Sequence, residues 1–264
     1  MTRLTPAERL LQELGITEPN EIDLEAIAFY RGARVRFRRL EGCEARIIGC
    51  NDAAIITIHE DCSRRRKRFS LAHEIGHWTH HKGQRLVCRV EESRPQDRMS
   101  PERVANSYAA DLLMPRYLFD PAARAHPKLN FKTANALAEA FDTSLTATAI
   151  RLVEGGHTPA LLVCHSSARR KWFTRGPDVP ERWFPKDTLD ADSFAFGVLY
   201  GGNADDVMPR KIGADAWFDR WEAADCEVHE QTVRTGDDEV LTLLLVSDPR
   251  MLEDSQDSGA RRTR

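Results

Sequence analysis

The chain has 264 residues, 41% hydrophobic and 30% charged, with a formal net charge of −3. That is enough apolar material for one large domain or two modest ones, and the near-neutral balance excludes a global basic field drawing the whole chain onto nucleic acid or acidic lipid. No run of about 18 uninterrupted apolar residues occurs, which excludes a membrane-spanning helix.

The first stretch, MTRLTPAERLLQELG, is charged and helix-patterned and lacks the apolar centre of a secretory signal, so a cytoplasmic location is expected. Residues 5–16 read as a helix: Leu10, Leu11 and Leu14 fall at helical spacing and Gly15 suits a C-terminal cap. A second helix fits Asp23 as N-cap to Gly32 as terminator. ARVRFRRL and AAIITIHE read as two strands. A helix is then expected from near Ser70 to near Gly83, and another over SPERVANSYAADLLMP, with Ser100 as N-cap, Pro101 in the first position and Pro115 at the end. Residues 132–154 read as a helix-turn-helix-like pair broken at Asp142–Ser144. After Gly155 and Gly156 the composition shifts toward strand formers, with PALLVCH, KWFTR, FAFGVLY, CEVHEQT and EVLTLLLV as strand candidates. The tail EDSQDSGARRTR has nothing apolar to bury and reads as disordered. The cysteines, Cys43, Cys50, Cys62, Cys88, Cys164 and Cys226, contain no CxxC pair and are read as reduced thiols, mostly packing groups.

Chemistry concentrates in Leu71–His77, LAHEIGH. On a helix His73 and His77 share a face and can grip one metal ion, while Glu74, one position round, can act on the attacking water without ligating. Leu71, Ile75 and Trp78 form the opposite, core-facing stripe. Gly76 costs about 1 kcal/mol of helix propensity relative to alanine, which makes sense if another backbone or a substrate approaches closely. A catalytic zinc needs a third protein ligand and an open position. The nearby carboxylates are Glu91, Glu92, Asp97, Glu102 and Asp111. Glu102 is favoured, because it opens a helix on which Asn106 shares its face and can hold a ligand histidine in place. The plainer reading of Glu102 is an acid favoured by the helix dipole. Asp111 lies half a revolution round that helix and cannot face the same ion. His80 and His81 read as positive partners for the helix end or as substrate-side groups, since three histidines on consecutive turns would spread over about 12 Å.

With these residues placed, the chain resembles the ImmA/IrrE family of bacterial metallopeptidases. The resemblance is carried by RFSLAHEIGH (68–77) and ERVANSYAADLLMP (102–115), and it extends over residues 5–156. It implies a gluzincin-like site with His73, His77 and Glu102 as metal ligands, Glu74 as base and Asn106 in support. It also implies Zn2+, or another divalent metal such as Mn2+, and a protein substrate, a helix-turn-helix repressor of phage, mobile-element or stress-response genes. Asp111 stands where the family commonly has glutamate. Some members carry a GAF-like sensor lobe after this region.

The expected architecture is α+β: a zincin-like helical metallopeptidase domain with a small N-terminal sheet over 1–130, the helix-turn-helix-like pair at 131–156, a C-terminal α+β lobe at 157–250, GAF-like by the resemblance, and a disordered tail at 251–264. The alternative function is a non-proteolytic regulatory module that binds a repressor or ligand, motivated by the large lobe after Gly156. The residues argue against direct DNA binding, because the run Arg64–Arg68 leads straight into the metal helix and SLTATAIRL offers one arginine. Trp172, Trp183, Trp217 and Trp221 read as core, and His165 and His229 as ordinary half-buried strand residues.

Overall fold

A computed structural model describes residues 3–80 and 100–253. The architecture is α+β, and the chain divides into two compact units. The first comprises the described residues up to Ala123 together with Leu137–Ala147; the second comprises Arg124–Ala136 and the described residues from Thr148 onward.

In the first unit, α1 (Pro6–Glu13) opens with a reciprocal cap. Glu8 N donates to Thr5 Oγ1 at 3.3 Å and Thr5 N donates to Glu8 Oε2 at 2.9 Å, so two of the helix's orphan donors are satisfied. The α2 helix (Leu24–Tyr30) starts at Asp23, whose carboxylate accepts from Glu25 N and Ala26 N. Gly32, at φ +82°, turns the chain out of it; a Cβ there would meet the Asp52 carbonyl oxygen at 2.5 Å, so both conformation and space demand glycine.

The strands β1 (Ala33–Arg38), β2 (Ala45–Cys50) and β3 (Ala53–His59) form a sheet in the order β1-β3-β2, with β1 parallel and β2 antiparallel to β3. Two strands were expected here. ARIIGC adds the third, hidden because Ile48 points outward and interrupts the alternation. Asn51, at φ +55°, makes the two-residue turn into β3.

The α3 helix (Arg64–His80) begins six residues before the expected Ser70. Ser63 Oγ accepts from Arg66 N at 3.4 Å, and arginine is a good helix former, so the basic run is the helix's own first turn and more. Gly83 lies outside the described residues. Leu71, Ile75 and Trp78 are buried as expected, each burial contributing about 1.5–3 kcal/mol. The Trp78 ring fits over Gly49 of β2, where a Cβ would meet it at 2.4 Å, and Trp78 Nε1 donates to Arg31 O at 2.8 Å. The α4 helix (Pro101–Leu113) carries the expected Ser100 cap. It is followed by α5 (Arg116–Arg124), missed in the sequence because Pro115 reads as a terminator; its carbonyl instead accepts from Leu118 N and Phe119 N. The pair α6 (Phe131–Ala140) and α7 (Leu145–Glu154) matches expectation, and the boundary between the units falls inside both helices.

The basic run has internal partners. Arg64, Arg65 and Arg68 converge on Asp142 at 2.9, 3.8 and 3.2 Å, and Arg66 pairs with Glu44. Burial lowers the Arg68 pKa while Asp142 opposes that shift.

The second unit holds an antiparallel sheet in the order β5-β4-β8-β7-β6: β4 (Ala160–Ser166), β5 (Arg170–Arg175), β6 (Arg210–Gly213), β7 (Glu227–Gly236) and β8 (Glu239–Leu245). FAFGVLY, expected as a strand, is the helix α8 (Phe194–Leu199). Ser193 Oγ accepts from Phe196 N, and the buried Glu230 accepts from Phe194 N and Ala195 N, so the capping partners override apolar strand-like composition. Trp183 and Trp217 are core, donating to Met251 O and Glu230 Oε2. Trp172 is half-buried, whereas Trp221 is 81% exposed and corrects the expectation of a core residue. His165 is fully buried against Trp217, and His229 half-buried. Met251 and Leu252, expected in a disordered tail, belong to the short α9 (Pro249–Leu252), with Met251 buried. The expectation that the cysteines mostly pack holds for Cys164 and Cys226, but Cys50 is exposed and Cys43 and Cys62 are intermediate; Cys88 lies outside the described residues.

Candidate metal centre

Helices α3 and α4 meet at a point where neither carries bulk. A Cβ on Gly76 would lie 3.1 Å from Ala105 Cα and Ala105 O, and Ala105 and Ala109 are fully buried. This close approach brings Glu102 and Asn106, on the same face of α4 as Ala105, against His73 and His77. The Nε2 atoms of the two histidines are 3.0 Å apart; Glu102 Oε2 is 3.2 Å from His73 Nε2, and Oε1 is 3.4 Å from His77 Nε2. The three residues offer ligand atoms all within 4.8 Å of one another, the one such grouping among the described residues.

Asn106 decides the tautomer. Its Oδ1 lies 2.8 Å from His73 Nδ1, and a carbonyl oxygen can only accept, so Nδ1 carries the proton and Nε2 presents a lone pair inward. A proton on His77 Nε2 could serve only one acceptor at a time. A single ion could be held by all three residues, since the two Nε2 atoms and the Glu102 carboxylate oxygens lie 3.0–3.4 Å from one another. Two imidazoles and one carboxylate therefore fit a divalent ion such as zinc. The neighbouring His73 and His77 imidazoles hold the Glu102 carboxyl down at about 2, keeping it charged. His77 is fully buried and Glu102 about one-third exposed, so the cluster is open on the Glu102 side. Glu74 is completely buried.

The sequence-predicted residues His73, His77, Glu102 and Asn106 thus come together, with Glu74 on the same helix. Asp111 does not join them; it lines a separate cleft with His80, Ser107 and Tyr108. For His80, partial burial and the nearby Arg31 lower its pKa, which disfavours the positive helix-end partner but not the substrate-side reading; its ring meets Tyr108 edge-on at 5.4 Å. His81, Glu91, Glu92 and Asp97 lie outside the described residues. Phe69, one turn before His73 with ring centroids 6.1 Å apart, was not singled out in the sequence; its helical spacing was the available signal.

Residues 28–153 match the family model described as the IrrE N-terminal-like domain, a peptidase family. No protein with a curated function matches the sequence. Among solved structures, the chain is similar in fold to a Mycobacterium tuberculosis transcriptional regulator, at 12% identity and a TM-score of 0.55, over 91% of this chain and 86% of that one. Among the described residues no helix is long and apolar enough to cross a membrane.

Proposed function

We propose that this chain, whose residues 28–153 match the family model described as the IrrE N-terminal-like domain, is a zinc-dependent endopeptidase whose substrate is a helix-turn-helix transcriptional repressor. The observation that carries the reading is the meeting of His73, His77 and Glu102 ligand atoms within 4.8 Å. His73, His77 and Glu102 would hold the ion, and Asn106 would keep His73 in its ligating tautomer. When bound, the ion supplies Lewis acidity that polarises the scissile carbonyl and makes water a better nucleophile. Glu74 takes a proton from the attacking water and delivers it to the leaving amine as the C–N bond breaks. The repressor as target rests on the resemblance carried by residues 68–77 and 102–115. The zincin-like domain at 1–130 and a GAF-like reading of 157–250 belong to the same proposal.

The second unit favours one other reading, a regulatory module that binds a repressor without cutting it. Most of that unit lies beyond residue 153, outside the matched segment, and it builds its own buried core. Co-expression with candidate helix-turn-helix repressors from the same genome separates the two. On the peptidase reading, wild type yields repressor fragments, whereas Glu74→Gln binds zinc at unchanged stoichiometry and yields none. An intact repressor that co-purifies with wild type would replace the peptidase reading with the binding one.

A further inference from the structure

The three-stranded sheet has two unlike faces. One carries Ala33, Ala45, Ile47, Ala54, Ile56 and Ile58, all buried on the side where Gly49 meets Trp78 of α3. Register sets the other: Arg34 lies beside Ile55 and Ile48, Arg36 beside Thr57 and Arg46, and Arg38 beside His59. Arg34, Arg36, Arg38 and Arg46 are all exposed; the one acid at the end of this row, Glu44, whose carbonyl accepts from His59 N, is already paired with Arg66. Among the described residues none of the four has an acidic partner, whereas Arg39, Arg64, Arg65, Arg66 and Arg68 all do. A chain with net charge −3 therefore concentrates uncompensated positive charge on one side of one sheet.

The chemistry of this face selects an occupant. Alternate arginines along β1 repeat about every 6.6 Å, and guanidinium forks pair in the plane with carboxylate or phosphate. Between the arginines the face is apolar: Ile48 is 64% exposed and Ile55 is half-buried beside it. A phosphodiester backbone offers an exposed isoleucine nothing, and no Phe, Tyr or Trp ring stands on this face to stack a base. A protein segment with carboxylates around an apolar side chain satisfies both features, as arginine-rimmed apolar centres do at protein interfaces. We infer that the open face of the β1-β3-β2 sheet docks an acidic, amphipathic segment of a partner protein, with carboxylates on Arg34, Arg36 and Arg46 and an apolar side chain on Ile48 and Ile55. This surface is separate from the metal cluster, and the inference does not require that the partner be cut.

The test is fluorescence anisotropy with the full chain and two labelled probes, a peptide repeating Glu-Glu-Leu and a single-stranded DNA of mixed sequence and equal charge. The peptide binds, its affinity falls with added salt, Arg36→Ser/Arg46→Ser weakens it about tenfold or more, and Ile48→Ser weakens it about fivefold. All three positions are exposed, so unchanged melting curves should accompany the loss; Arg36→Gln/Arg46→Gln substitutes if the serine variant melts lower. Absence of peptide binding, or insensitivity to either variant, overturns the inference. Tighter binding of the DNA, unaffected by Ile48→Ser, overturns it in favour of a phosphate-reading surface.

Discussion

Gly76 and Ala105 meet backbone to backbone: a methyl on Gly76 would lie 3.1 Å from both the Cα and the carbonyl oxygen of Ala105. His73 is three positions before the glycine and Glu102 three before the alanine, so this contact sets how closely the two ligand-bearing helix faces approach. Gly76→Ala would gain about 1 kcal/mol of helix propensity. Overpacking typically costs about 1–3 kcal/mol, which offsets that gain. The variant is expected to melt below wild type and bind zinc about tenfold more weakly, since ligand geometry is strained as well. Equal melting temperature and equal zinc affinity would mean the interface yields freely.

Asn106 acts on the metal through His73. Asn106→Ala leaves the imidazole free to change tautomer, and zinc affinity should fall about 10–100-fold while the metal-free protein melts nearly as before. Asn106→Asp again offers an acceptor to Nδ1–H and should recover most of the loss. Competition against a chelating dye measures both; an aspartate variant as weak as the alanine one would refute the tautomer argument.

The ligands come from two helices, so the assembled site exists only in the folded chain. At a free zinc concentration about 1,000 times Kd the folded state gains about 4 kcal/mol. A chelator should therefore lower the melting temperature of wild type and leave Glu102→Ala, already short of a ligand, nearly unmoved. An equal chelator effect on both would place the responsible ion elsewhere.

Asp142 is the anion around which Arg64, Arg65 and Arg68 gather, and it sits at φ +51°. Asp142→Asn keeps a residue tolerant of that conformation and removes only the charge. A loss of about 1.5–3 kcal/mol is expected by urea denaturation, because three arginines then face one another and Arg68 is largely buried. A change below about 0.5 kcal/mol would show that solvent screens the cluster.

Glu230 lies wholly buried, accepting from Trp217 Nε1 at 2.8 Å, Thr232 Oγ1 at 3.1 Å and two backbone amides at the start of α8. Burial raises its pKa above the ordinary 4.5 despite those donors. A carboxyl with a raised folded-state pKa binds its proton more tightly when folded. Its contribution is therefore fully present below the unfolded pKa and is lost as pH rises through the folded one. Glu230→Gln should flatten that part of the stability–pH profile, as read by chemical denaturation at stepped pH. An identical slope in wild type and variant would assign the pH dependence to other groups.

By itself the sequence determined the local chemistry: two histidines one turn apart, an acid beside the first, and a second helix from Ser100 with Glu102 and Asn106 on one face. Those signals are legible because helical periodicity and capping act within a few residues. It could not determine that Gly76 and Ala105 would touch, that Asp142 would gather the basic run, that Glu230 would cap FAFGVLY into a helix, or that Ile48 would stand exposed among unpaired arginines. Each of these joins residues distant in the chain, and burial and charge compensation across such distances are settled only when the elements pack.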